Sequence, residues 1–156
     1  MKTQEIITEI KKLSVNEQEF ILKELSNIVR DSIKIANPND IYAKFLHKYS
    51  NKMQEHFIVL QLDGANQVRK CEIVTKGLLN SSQIHPRECF ADAIKNRSAS
   101  IIIAHNHPSG NPTPSPEDIN ITKKLKSAGE ILGIPVLDHI IFTKTGYTSF
   151  LEKGLL

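Results

Sequence analysis

The apolar run in SASIIIAHNH (Ser98–His107) constrains the fold more than any other part of this 156-residue chain. Three consecutive isoleucines leave no polar side for a surface strand, so the segment predicts a β-strand that is buried on both faces. Predicted helices over His85–Arg97 and over Pro116 to about Leu132 supply the cover that such a strand needs. Strands interleaved with helices predict an α/β or α+β domain, with a mixed β-sheet flanked by helices.

Further strand patterns lie on both sides of this run. The segment HFIVLQLD (His56–Asp63) predicts a strand that the GANQ turn joins to a second strand, VRKCEIVTKG. A helix from Ile41 to about Tyr49 is predicted before it, with Asn39 or Asp40 as its N-cap. After a helix that Gly133 suits as a C-terminal cap, IPVLDHIIFT predicts another strand, and YTSFLEKGLL a closing strand and tail.

The first 36 residues predict a separate helical segment. Apolar residues recur every three to four positions from Thr3 to about Ser32, and Ser14 followed by Glu17 is typical of a capping box that starts a second helix. The break at ANPND (Ala36–Asp40) follows. We therefore predict an N-terminal helical segment, residues 1–36, and a main domain, residues 37–156. The segment can be an appendage, a dimerisation element or a partner-binding element.

Composition and charge exclude several classes of protein. The chain is 40% hydrophobic and 24% charged, which is ordinary for a globular domain. Its net charge of +3 is weak support for nucleic-acid binding, and the lysines at 123, 124 and 126 are equally well explained as a solvated helix face. Cys71 and Cys89 do not form a C-x-x-C motif. The polar N-terminus and the lack of an apolar run of about 20 residues predict a cytoplasmic protein without a membrane partner.

Two histidines at the end of the buried strand form a candidate metal site. Side chains alternate along a strand, so His105 and His107 point to the same face. Asp118 lies eleven residues after His107, near the start of a predicted helix that Ser115 caps. Two imidazoles and a carboxylate with one open position are typical of catalytic zinc, which lowers the pKa of bound water towards about 7. An isolated H-x-H is more often two unrelated histidines, and the capping residues need no function.

The wider pattern resembles a known family. The order His105-x-His107, seven residues, Ser115, two residues, Asp118 matches the JAMM signature of the JAB/MPN metallohydrolases. The loop AHNHPSGNPTPSPED, with GLLNSSQIHPRECFADAI before it and LGIPVLDHIIF after it, is similar to the RadC-type branch of that family. The resemblance covers residues from about 37 to 156 and implies a JAB/MPN, cytidine-deaminase-like fold.

The resemblance also implies roles for single residues. His105, His107 and Asp118 would bind Zn²⁺, and Ser115 would hydrogen-bond the substrate carbonyl oxygen or the oxyanion. A glutamate from an earlier strand would be the general base. Glu55 stands where the family has that glutamate, directly before an apolar core strand.

Three other glutamates are alternatives for the role of base. Glu72 is the second choice, and we expect it to face solvent from its hairpin strand. Glu88 lies on a predicted helix face that is solvated. Glu117 is next to Asp118 but points in a different direction from the helix.

The function that the resemblance implies is a zinc metallopeptidase that hydrolyses peptide or isopeptide bonds in a peptide or protein substrate. Two alternatives stay open: a RadC-like factor associated with DNA repair or recombination, and a zinc-binding scaffold without catalysis. Longer RadC relatives carry a helical, DNA-binding-like region at the N-terminus, where this chain has only a short helical segment. We interpret His139 as a packed strand histidine, with a contact behind a metal ligand as the alternative. Asn106 lies between the two histidine ligands.

Overall fold

The computed structural model of the protein describes residues 3–33, 35–77 and 84–156. The residues 78–83, which carry part of the flanking resemblance, lie outside the described ones.

The chain divides into two units, Met1–Lys34 and Ile35–Leu156. The first contains α1 (Thr3–Ile10) and α2 (Val15–Ile33). The Ser14 amide donates to Glu17 Oε2 at 2.9 Å and the Glu17 amide donates to Ser14 Oγ at 3.4 Å, so the predicted capping box is confirmed.

A mixed sheet of five strands organises the described part of the second unit, in the order β2-β1-β3-β4-β5. Strand β3 lies at the centre, antiparallel to β1 and parallel to β4. The predicted fold class, an α+β domain with a mixed sheet, is therefore confirmed. The strands are β1 (His56–Leu62), β2 (Val68–Lys76), β3 (Ser100–Asn106), β4 (Val136–Phe142) and β5 (Tyr147–Ser149).

Two helices cover one face of this sheet: α4 (Pro86–Lys95) and α5 (Pro116–Leu132). Ile103 of β3, Phe90 of α4 and Leu125 of α5 belong to one cluster of buried residues. Each fully buried side chain of this size stabilises the fold by about 1.5–3 kcal/mol. All residues of β3 are buried, as its apolar run predicts.

The segment that leads into the sheet begins with α3 (Pro38–Ile41), which continues as a π-helical turn (Tyr42–Leu46) and a 3₁₀ turn (His47–Tyr49). The prediction of Asn39 or Asp40 as its cap is wrong, because the Asn37 side chain accepts from the Asp40 amide at 3.0 Å. Pro38 suits the first helical position, so the helix begins earlier. The Tyr42 hydroxyl donates to the Thr143 carbonyl at 3.0 Å and ties this segment to the end of β4.

The bounds of α5 agree with the prediction, whereas α4 ends at Lys95, two residues before the predicted Arg97. The His85 ring accepts from the Arg87 amide at 3.1 Å at the start of α4, and Gly133 follows α5 with a left-handed φ of 69°. None of the helices in the described ranges combines the length and the apolar composition that a bilayer crossing requires.

Deletion of residues 1–34 should leave a folded domain, because the second unit holds all the described strands and the core cluster. We expect the truncated chain to show a cooperative thermal transition by circular dichroism, close in temperature to the main transition of the full chain. A truncated chain that unfolds without cooperativity would show that α1 and α2 belong to the core.

Candidate metal centre

Three side chains converge where β3 ends and α5 begins. The Nε2 atoms of His105 and His107 lie 2.9 Å apart. Asp118 Oδ1 is 3.1 Å from His105 Nε2, and Asp118 Oδ2 is 3.5 Å from His107 Nε2. Two ligand atoms of a tetrahedral zinc ion, with bonds of roughly 2.0–2.1 Å, stand roughly 3.3 Å apart. The nature and spacing of the three donors therefore fit one metal ion, and the cluster can hold it.

The histidine rings are held by contacts on their far sides. His107 Nδ1 lies 2.7 Å from the Asn111 carbonyl oxygen, which can only accept, so this nitrogen carries the hydrogen. His105 Nδ1 lies 2.9 Å from His139 Nε2. Both rings therefore turn Nε2 towards Asp118, the orientation that a shared metal ion requires.

The helix start holds the carboxylate of Asp118 in this position. Ser115 Oγ accepts from the Asp118 amide at 3.1 Å, and Asp118 Oδ2 accepts from the Ser115 amide at 2.8 Å. This reciprocal pair is a capping box, and Pro116 occupies the first turn, as the sequence predicts. The same carboxylate that caps α5 thus faces the two imidazoles.

The charges in the cluster reinforce one another. Burial alone would raise the pKa of Asp118, but its contacts with His105 and His107 and with the Ser115 amide hold that pKa well below its usual range. The hydrogen bond with Asp118 raises the pKa of His107 against the effect of burial, and the Asn111 carbonyl and the charge of Glu55 add to the rise. A full carboxylate charge and two imidazoles at this distance form a site that attracts a cation.

The charge of Glu55 acts on His107, the most exposed member of the cluster. The side chain of His107 is 14% exposed, against 2% for His105 and 8% for Asp118. A cavity of about 340 Å³ is lined by Met53, Gln54, Glu55, Gly77, Pro108 and Ser109, and the last two residues directly follow His107. Glu55 as the general base stays a prediction.

Glu72 lies elsewhere on the sheet. It pairs with Val59 in the middle of β1, and its carboxylate accepts from Gln61 Nε2 at 3.0 Å and from Lys70 Nζ at 2.9 Å. Its side chain is 22% exposed, so the expectation that it faces solvent is only partly met. Its contacts along β2 and β1 explain a carboxylate there without a catalytic role.

Asn106, which lies between the two histidine ligands in the sequence, holds the backbone before β1 through its side-chain hydrogen bonds. Its buried side chain accepts from the His56 amide at 2.7 Å and donates to the Gln54 carbonyl at 3.0 Å. These contacts bracket Glu55 on both sides along the chain. The strand alternation that points the two histidines to one face points Asn106 to the other, and a buried amide needs partners there. That signal was present in the sequence, but it did not identify the partners.

His139 lies directly behind His105, in contact with its ring, and is packed within the strand as the sequence predicts. The ring is fully buried on β4 and is stacked on Phe150 at 4.6 Å between centroids. Burial, and then the neighbouring His105, lower the pKa of His139 well below its ordinary value. His139 is therefore neutral and in contact with a candidate ligand.

Comparison with known proteins gives consistent matches. Residues 35–155 match the family model described as RadC-like JAB domain. A UPF0758 protein of Methanospirillum hungatei is 51% identical over 128 residues, which cover 81% of this chain and 57% of that protein. A UPF0758 protein of Staphylococcus haemolyticus is 52% identical over 124 residues, which cover 80% of this chain and 54% of that protein.

A third relative extends over more of the chain. A UPF0758 protein of Staphylococcus epidermidis is 43% identical over 172 aligned positions, which cover 99% of this chain and 76% of that protein. The chain spans about half the length of the first two relatives.

Purified protein reconstituted with zinc should retain about one ion per chain, as expected for one set of three ligands. His107→Ala and Asp118→Asn should lose most of it, because each removes a donor atom from the cluster. His47→Ala, which removes an exposed histidine elsewhere, should keep the wild-type content. Elemental analysis after gel filtration measures the ratio, and equal metal in all four proteins would show that the ion binds at another place.

Asn106→Ala should destabilise the fold by about 2 kcal/mol or more, because it leaves the buried His56 amide and the Gln54 carbonyl without their partner. Asn51→Ala, at an exposed position, should change the free energy of unfolding by less than about 0.5 kcal/mol. Urea denaturation measures both values. Equal effects of the two substitutions would contradict the bracketing role of Asn106.

Proposed function

Because the chain belongs to the RadC-like JAB family, we propose that it is a zinc-dependent hydrolase that cleaves peptide or isopeptide bonds. One observation carries the proposal: two imidazoles and a buried carboxylate converge on one point, and the charge of a second carboxylate, Glu55, acts on one of the imidazoles. Three protein ligands with an accessible side are typical of catalytic rather than structural zinc sites.

The ligand chemistry favours zinc. Imidazole nitrogen with a carboxylate oxygen suits zinc better than magnesium or calcium, which prefer oxygen ligands alone. When bound, zinc polarises a carbonyl oxygen and lowers the pKa of a water molecule. His105, His107 and Asp118 would hold the ion, and the remaining work falls to other residues of the chain.

Glu55 is the proposed general base. A carboxylate whose charge acts on the cluster can take the proton that an attacking water loses, and can then deliver it to the leaving amine nitrogen. The contacts of Asn106 on either side of Glu55, and the 3.0 Å hydrogen bond from the Gly77 amide to the Glu55 carbonyl, hold its backbone in place. A fixed base needs less reorganisation during proton transfer.

Ser115 is the proposed donor to the oxyanion. In the structure its hydroxyl donates to Asp118 Oδ2 at 2.7 Å, while its oxygen accepts from the Asp118 amide. Rotation about the Cβ–Oγ bond redirects the hydroxyl hydrogen and leaves the oxygen in its capping position. Ser115 can thus support substrate without loss of the helix cap.

The cavity beside Glu55 supports a substrate of peptide type. Its volume of about 340 Å³ is near the lower end of ligand pockets, roughly 300–1,000 Å³. A cavity of that size accepts a short stretch of extended chain around the bond to be cleaved, with the rest of the substrate outside.

Glu55→Gln should retain zinc at the wild-type ratio and lose hydrolysis by a factor of about 10² to 10⁴, the usual contribution of a positioned general base. The substitution keeps the size of the side chain and removes its capacity to accept a proton. Glu72→Gln is the matched control and should keep full activity, because Glu72 lies against Gln61 and Lys70. Cleavage of a defined peptide and isopeptide library by the zinc-loaded chain, read by mass spectrometry, measures the rates.

Two outcomes would count against the proposal in different ways. Loss of activity in Glu72→Gln but not in Glu55→Gln would reverse the assignment of the base. A zinc-loaded wild-type chain that cleaves no bond in the library would favour a zinc-binding scaffold over a peptidase.

A further inference from the structure

The ring of His139 connects a candidate metal ligand to α5. Its Nε2 atom lies 2.9 Å from His105 Nδ1, and its Nδ1 atom lies 2.6 Å from Thr122 Oγ1. Each ring nitrogen therefore has one partner, and Phe150 stacks on the ring. Such a ring cannot flip without losing both hydrogen bonds.

Thr122 sets the direction of these hydrogen bonds. Its Oγ1 atom lies 2.6 Å from the Asp118 carbonyl oxygen, which can only accept. The single hydroxyl hydrogen of Thr122 is therefore donated to Asp118. In the contact with His139 the same oxygen must accept, so Nδ1 of His139 carries a hydrogen.

The position of the hydrogen on His139 then determines which atom donates in its contact with His105. A neutral imidazole has one N–H, so His139 Nε2 bears a lone pair and accepts from His105 Nδ1. His105 thus holds a hydrogen on Nδ1, and Nε2 is the ring nitrogen that is left for the metal. That atom is the one that lies 3.1 Å from Asp118 Oδ1 and 2.9 Å from His107 Nε2.

We propose that Thr122 and His139 are positioning residues, which hold the hydrogen of His105 on Nδ1 so that Nε2 is the nitrogen that meets the metal. The hydrogen-bond chain starts at the backbone carbonyl of Asp118 and ends at Nδ1 of His105, whose Nε2 atom lies 3.1 Å from the carboxylate of the same residue. This inference rests on the proposed metal site and adds to it the residues that prepare a ligand before the ion arrives.

The alternative tautomer shows why this matters. With its hydrogen on Nε2, His105 would direct an N–H at the metal position, and two lone pairs would face each other across 2.9 Å between His105 and His139. Hydrogen-bond partners behind a ligating histidine hold its tautomer and orientation, and their loss costs about 10- to 100-fold in metal affinity.

The affinity test compares substitutions in the full chain. Thr122→Val keeps the shape and removes the hydroxyl, so zinc affinity measured by competition with a chelator should fall about 10- to 100-fold. Thr122→Ser should restore affinity close to the wild-type value. Thr143→Val removes the hydroxyl of another buried threonine, whose partners are Thr145 and Gly146, and should leave affinity unchanged. A purely structural role of Thr122 would lower the stability in urea without this loss of affinity, and that result would overturn the proposal.

The tautomer can be read directly by ¹⁵N NMR of the histidine rings in the metal-free full chain. We expect His139 to carry its hydrogen on Nδ1 in the wild type and to lose that preference in Thr122→Val. A hydrogen on Nε2 of His139 in the wild type would overturn the proposal. This measurement needs neither substrate nor zinc, so an inactive chain would refute the proposed hydrolase while leaving the tautomer result to stand or fall by itself.

Discussion

The carboxylate of Asp118 is the group on which the rest of the candidate site depends. A buried charge without partners would cost several kcal/mol, and the side chain of Asp118 is only 8% exposed. The Ser115 amide and hydroxyl and two histidines offset that cost. The capping box thus fixes the start of α5 and places the Asp118 carboxylate at the end of β3. The position of the helix and the candidate metal site therefore both depend on the side chain of Asp118.

The residues at the end of β3 have two roles, as candidate metal ligands and as support for the backbone around Glu55. His105 and His107 face α5, whereas Asn106 between them holds the backbone on either side of Glu55. One short segment therefore orients two candidate ligands and the proposed base. The neutral ring of His139 behind His105 and the hydroxyl of Thr122 complete a layer in which each polar atom has a defined partner. Such a layer reduces the motion that a bound ion would otherwise have to restrict.

Much of the fold follows from local patterns. The isoleucines of β3, the Ser115–Pro116 start of α5 and Gly133 at its end predicted elements that the structure contains. The cap of α3 was predicted wrongly because Asn37, Asn39 and Asp40 all have capping side chains, and a local pattern does not choose among them. The exposure of Glu72 was overestimated because its cover comes from Gln61 on the neighbouring strand.

The sequence by itself determined the strand–loop–helix unit and the convergence of two histidines and an aspartate, together with the family that this pattern resembles. Those residues lie within fourteen positions of one another, so strand alternation and helix capping suffice to place them. Only the tertiary structure decided the tasks of Asn106 and His139. His56, whose amide donates to Asn106, is 50 residues away along the chain, and His139 is 34 residues away from its partner His105. Contacts at such separations depend on strand order and register, because pairing across a sheet brings together residues that no local pattern relates.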